Sequence, residues 1–221
     1  MSDINIDFLK TGSHWQLSEL QGMQYSFLSS LPSYYMFNPI LGTAHAFLFR
    51  PGTGGFLTSN ADPNFIDQQD IVRFLLDSPG VLSGYTDLKT VNTILINMAS
   101  YRVSFSDVIN TNFLEADSGI GDIIIMNQDA FSSAAPSLAY IPNATNKTFG
   151  NAGDVFINSM HIENLTELRP GAEGFWILLH ELGHAVGGLD DVRNTTAAGT
   201  FVDNQKYTVM SYNPLNTLLT V

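Results

Sequence analysis

Two histidines one helical turn apart, with a glutamate beside the first, constrain this chain more than any other feature. The run is His180-Glu181-Leu182-Gly183-His184. Residues i and i+4 of an α-helix lie on one face, so two imidazoles there can grip one metal ion from the same side. Glu181, one position round the helix, can reach a water on that ion and act as a general base. With five histidines and six glutamates in 221 residues, shuffling yields about 0.003 such runs. The plain alternative is a helix with two buried histidines beside a salt-bridging glutamate. The spacing predicts a helix over roughly 172–186, opening after Pro170 and stopping at Gly187-Gly188, which is ordinary helix punctuation.

The residues before this helix predict a sheet to carry it. Met23–Phe27 reads as a short strand, 67–76 as a short helix and 108–115 as a strand. Gly121–Met126 has the apolar run of a central strand. Ser137–Ile141, bounded by Pro136 and Pro142, reads as a short edge strand, and Asp154–Asn158 as another strand. Leu88, Val91, Leu95, Met98 and Phe105 recur at helical spacing, flanked by Ile94 and Tyr101, and predict a long helix packed on the sheet. The prolines and the Gly52-Thr53-Gly54-Gly55 turn within 30–64 predict loops, with room for a hairpin. The last 30 or so residues read as loop and turn.

Composition narrows the chemistry. Twenty-one acids against nine bases give a net charge of −12, which repels phosphate backbones and argues against nucleic-acid binding. There is no cysteine, which excludes a disulfide scaffold, a Cys-type zinc site and a thiol nucleophile. No stretch approaches the ~18 apolar residues of a membrane span, and Met1–Asp7 lacks the basic and apolar regions of a signal peptide. Four N-x-[ST] sites, at Asn143, Asn146, Asn164 and Asn194, read as chance products of an Asn- and Thr-rich chain.

The residues after His184 extend the motif. Gly187 stands three beyond it and Asp190 three beyond Gly187, giving H-E-x-x-H-x-x-G-x-x-D. The helix must break for the chain to double back to the metal, and glycine permits the positive φ of such a turn. Asp190 then returns as a third ligand, with Asp191, one residue out of register, as the reserve. Further on comes Tyr207-Thr208-Val209-Met210-Ser211-Tyr212.

Here the chain resembles the metzincin zinc peptidases, which pair H-E-x-x-H-x-x-G-x-x-H with a later Met-turn. It is most similar to the serralysin-like branch, whose Met-turn reads Val-Met-Ser-Tyr, as Val209–Tyr212 does. The order of elements from about residue 23 to 213 is also the family's. The resemblance implies an α/β (α+β) zincin-like catalytic domain, with a twisted mixed five-stranded sheet, two long helices and a small irregular C-terminal lobe. The chain then forms one domain over 1–221, with an upper lobe at about 20–187 and a lower lobe at about 188–221.

The resemblance further implies a Zn²⁺-dependent endopeptidase. His180 and His184 bind the metal with Asp190, and Glu181 is the general base. Met210 lies beneath the metal as an apolar floor, and Tyr212 either packs beside the turn or stabilises the developing oxyanion. Leu138, Ala139 and Tyr140 either simply close the sheet or hold an extended peptide along its edge. The departure is Asp190, where serralysins carry histidine; the snapalysins look like a minority using aspartate there. It makes the site one unit more negative. His14, His45 and His161 match nothing in the family and read as core or surface residues.

Only 11 residues follow Met210, so neither the family's C-terminal helix nor the glycine-rich calcium repeats of serralysins are expected, and calcium binding and type I export are not carried over. The expected partner is a protein or peptide substrate, the expected state a monomer, and the expected setting a secreted bacterial protein. The acidic balance favours basic or neutral peptides weakly. The other reading is a catalytically weak or inactive peptide-binding domain that keeps the fold.

Overall fold

The computed structural model describes residues 12, 15, 22–28, 68–76, 105, 111–117, 121–128, 137–158, 161, 163–167 and 171–214. Five strands form one mixed sheet: β1 (Met23–Phe27), β2 (Phe113–Glu115), β3 (Ile123–Gln128), β4 (Ser137–Ala139) and β5 (Val155–Asn158). Their order is β2-β1-β3-β5-β4. The first four in that order run parallel, and β4 runs antiparallel to β5 with Leu138 opposite Phe156. The helices are α1 (Gln68–Leu76), α2 (Ala144–Phe149), α3 (Glu163–Thr166) and α4 (Glu173–Gly187), followed by a 3₁₀ turn at Val192–Asn194. None of them is long and apolar enough to cross a membrane.

Period-two alternation selects the face that meets the helices. Met23 and Tyr25, Ile123 and Ile125, and Val155 and Ile157 share one core with Ile71, Val72, Leu75 and Leu76 of α1. Leu178, Leu182, Ala185 and Val186 of α4 join the same core. The alternate residues Ile124, Met126 and Phe156 are buried as well, which explains the unbroken apolar run of β3: a central parallel strand is covered on both faces. Fully burying each such side chain contributes about 1.5–3 kcal/mol.

Strand β1 occupies the predicted residues. Strand β2 is shorter than predicted: Thr111 and Asn112 lie outside it, and pairing starts at Phe113 opposite Met23. Residues 108–110 lie outside the described set, as do residues 88–104 of the predicted helix; Phe105, the last residue of its apolar series, is described, helical and packed against the core. Helix α2 is an addition to the predicted elements. Asn143 caps it by accepting from the Asn146 N–H at 2.8 Å, and the Asn146 amide donates to the Ile141 carbonyl at 2.8 Å. Asn164 is buried and donates to the Asn158 carbonyl at 2.9 Å. Asn194 donates to Asp190 Oδ1 at 2.9 Å, so all four N-x-[ST] asparagines do local structural work.

Candidate metal centre

Helix α4 brings His180, Glu181 and His184 to the site. Its far end stops at Gly188, whose φ of 57° is left-handed. The glycine that makes the turn is thus Gly188, and Gly187, the predicted turn residue, is the last residue of the helix. Any side chain other than glycine is strained in that conformation. The Gly188 and Leu189 N–H groups donate to the carbonyls of His184 and Gly183, so the chain reverses immediately.

Moving the left-handed residue one place later advances the returning residue by one. Asp191, not Asp190, meets the histidines. Its Oδ1 lies 3.0 Å from His180 Nε2 and 3.3 Å from His184 Nε2. Asp190 caps the turn instead: its Oδ1 accepts from the Asp191 N–H at 2.8 Å and from Asn194 Nδ2 at 2.9 Å. This corrects the spacing-based choice of Asp190 as the third ligand.

The tautomers of both rings follow from their partners. His180 Nδ1–H donates to the Val209 carbonyl at 2.9 Å, and His184 Nδ1–H to the Leu189 carbonyl at 2.7 Å. A carbonyl can only accept, so each neutral ring turns an Nε2 lone pair inward. The two Nε2 atoms are 3.1 Å apart. Asp191 Oδ1 joins them, so three ligand-type atoms converge on one point, and a cation there would be shared by all three. Tetrahedral bonds of about 2.0–2.2 Å would put ligand atoms about 3.3–3.6 Å apart, close to the spacing found. His180, His184 and Asp191 can therefore hold a metal ion.

The electrostatics agree with this arrangement. Burial disfavours charge on His184, but the Asp191 carboxylate, the Glu181 charge and the Leu189 carbonyl outweigh it and raise its pKa. Burial likewise pushes Asp191 up, but the two imidazoles outweigh it and hold the carboxyl well below its usual range. Glu181 is buried, and desolvation raises its pKa despite the nearby histidines. Its Oε1 accepts from Ser137 Oγ at 2.6 Å, tying the start of β4 to the carboxylate. Nothing in the sequence pattern marks Ser137 for this contact.

Residues 207–212 pack against the helix that carries the histidines. Met210 is fully buried, and a Cβ on Gly183 would stand 2.7 Å from its sulfur. That close approach explains a glycine inside a helix, where it costs about 1 kcal/mol relative to alanine. The Val209 carbonyl accepts from Trp176 Nε1 at 3.0 Å as well as from His180. Trp176 lies one turn before His180, and its ring contacts both His180 and Tyr212. Tyr212 Oη is 3.3 Å from His180 Nε2, close enough to donate to it. Burial and the charges of Asp191 and Glu181 raise the Tyr212 phenol to about 12, so it stays a proton donor at neutral pH.

Strand β4 pairs on one side with β5 and, among the described residues, with no other strand. The Tyr140 N–H donates to the Asp154 carbonyl, and the Tyr140 carbonyl accepts from Gly153. Both Tyr140 backbone groups therefore face β5. Antiparallel alternation then turns the Leu138 backbone toward β5 as well and leaves Ser137 and Ala139 facing away from it. Leu138 and Ala139 belong to the last strand of the described sheet and Tyr140 directly follows it; of the three, only Ala139 turns its backbone away from β5. His161 sits apart, beside Glu163 and Glu173; His14 and His45 lie outside the described residues. No protein-family model matches the chain, and no curated protein matches it significantly.

Proposed function

We propose that the chain is a metzincin-like zinc endopeptidase, hydrolysing peptide bonds with Glu181 as general base. The observation that carries this reading is the convergence of His180 Nε2, His184 Nε2 and Asp191 Oδ1 beside the buried Glu181 carboxylate. The donor set fits Zn²⁺, for which sites of two histidines and a carboxylate are well suited. When bound, the ion supplies Lewis acidity, polarising the scissile carbonyl and lowering the pKa of water to about 7.

The chain's own residues supply the rest. Glu181 takes the proton of the attacking water and delivers it to the leaving amine. Tyr212 donates a hydrogen bond to the oxygen that gains charge in the transition state. The outward backbone groups of β4 hold the substrate as an added strand. The fully buried Met210 supports the helix turn that carries both histidines.

Glu181→Gln tests the reading. Loss of about 10²–10⁴-fold in casein or peptide hydrolysis is expected, with metal content unchanged, because Glu181 is not a ligand. Chelation should abolish activity and added zinc restore it. Cleavage that survives Glu181→Gln overturns the proposal. A chain that binds metal and an extended peptide but cleaves nothing is the peptide-binding domain instead.

A further inference from the structure

We propose that Arg193 is a positioning residue that makes Asp191 a one-oxygen ligand and offsets its extra negative charge; the inference rests on the metal-site reading above. Arg193 Nε lies 3.0 Å and Nη2 2.8 Å from Asp191 Oδ2. Oδ1, the other oxygen, faces the two imidazoles. One carboxylate is thus divided: its outer oxygen is taken by a guanidinium, and its inner oxygen is left for a cation. Two guanidinium N–H groups converge on that one oxygen, and such charge-assisted bonds anchor Oδ2 while leaving Oδ1 to the histidines.

Charge is the second part. Replacing a neutral imidazole by a carboxylate adds one negative charge to the ligand set, which weakens the Lewis acidity of a bound metal. The Arg193 cation restores the overall balance of a three-histidine site. It also reaches Tyr212: its Cζ sits 4.2 Å above the centroid of the ring. One side chain therefore orients both returning residues, Asp191 and Tyr212.

The charge offset by itself weakens metal binding, but only slightly, because the exposed guanidinium is screened by solvent; positioning acts the other way and sets the net sign. This makes the inference sharp, because positioning and bare repulsion predict opposite signs. The Arg193 side chain is 62% exposed, so its replacement should leave the fold intact, and melting of the metal-free chain is the control.

The experiment measures zinc affinity by chelator competition in the full chain, Arg193→Gln and Arg193→Lys. Outer partners of ligands are worth about 10–100-fold in metal affinity. Arg193→Gln should weaken zinc binding by about tenfold or more, and Arg193→Lys should recover part of the loss. The visible spectrum of the cobalt-loaded chain should shift in Arg193→Gln, as the freed carboxylate changes its mode of binding. Equal or tighter zinc binding by Arg193→Gln overturns the inference and leaves the metal site standing. A wild-type chain that takes up no zinc overturns both.

Discussion

The sheet with its helices and the segment after Gly188 are held together by different forces. The first buries a continuous apolar core, from Met23 on β1 to Val186 on α4. The second, residues 189–214, buries only Val192, Ala197 and Met210 as an apolar cluster. It relies on polar bonds: Thr195 Oγ1 to the Val192 carbonyl, Thr200 Oγ1 to the Ala197 carbonyl, and Ser211 Oγ to Asp203. The centre draws His180, Glu181 and His184 from the first region and Asp191 and Tyr212 from the second. A metal held between them would therefore act as a joint, completing a region that apolar burial alone supports weakly.

The most direct way to break this picture is to cut the joint on the returning side. Asp191→Ala should lower zinc affinity by more than about 100-fold, above the usual effect of an outer partner. Asp190→Ala, one residue away, removes two turn hydrogen bonds and should cost about 1 kcal/mol of stability, with zinc affinity within about threefold of wild type. Chelator competition and thermal melting separate the two. A reversed result would restore Asp190 as the ligand and place the cap at Gly187.

Metal removal asks which region depends on the joint. A ligand at about 100 times its dissociation constant stabilises the folded state by about 2.7 kcal/mol. Chelation should lower stability by about that amount. Hydrogen exchange should rise first at Val192, Gln205 and Ser211, whose amides close the returning turns, while the amides of β1 and β3 keep their protection. Uniform loss across both regions would show that the two open together.

The same contrast explains what could be read in the chain. Burial periodicity made β1, β3, α1 and α4 legible, because each must bury an apolar face. The pentapeptide made two histidines and a glutamate legible, because helical spacing fixes their direction. The choice between Asp190 and Asp191 was not legible. Two glycines stand together at 187 and 188, and either can turn left-handed. What decides is three-dimensional: the Val192 N–H donates to the Met210 carbonyl, setting the register of the return. Ser137 was hidden for a similar reason, since its partner Glu181 lies 44 residues away and only the sheet brings them together. The shortness of β2 depends on where β1 begins, which no local pattern in 108–115 records.

Within the returning segment, the polar clamp on the Met-turn is the next target. Ser211 is fully buried; it donates to Asp203 Oδ1 at 2.7 Å and accepts from the Asn213 N–H at 3.1 Å. Asp203 also accepts from the Gly199 N–H at 2.8 Å, which helps hold its carboxyl below the ordinary value. Ser211→Ala should cost about 1.5–3 kcal/mol, as expected for a lost bond to a charged group. Denaturant melts of the metal-free chain would read this. A cost below about 0.5 kcal/mol would mean that Met210 packing, rather than the clamp, holds the turn.

The smallest effect is expected on the sheet side, where charge is incidental. Arg73 on α1 pairs with Glu115 at the end of β2, Nε to Oε2 at 2.7 Å and Nη2 to Oε1 at 2.8 Å. The Arg73 hydrogen bond lowers the Glu115 pKa from its ordinary 4.5. A carboxylate with a depressed folded pKa binds protons more readily when unfolded. Its contribution is therefore complete above about pH 4.5 and fades as pH falls through the lower, folded value. Both partners are partly exposed, so solvent screening keeps the pair near 0.2–1 kcal/mol. Glu115→Gln should flatten the acid limb of the stability profile by that amount and leave the neutral-pH core and zinc affinity nearly unchanged. A larger loss, or a loss of zinc binding, would show that this pair supports the sheet's placement of α4 and that polar bonds matter on both sides of the joint.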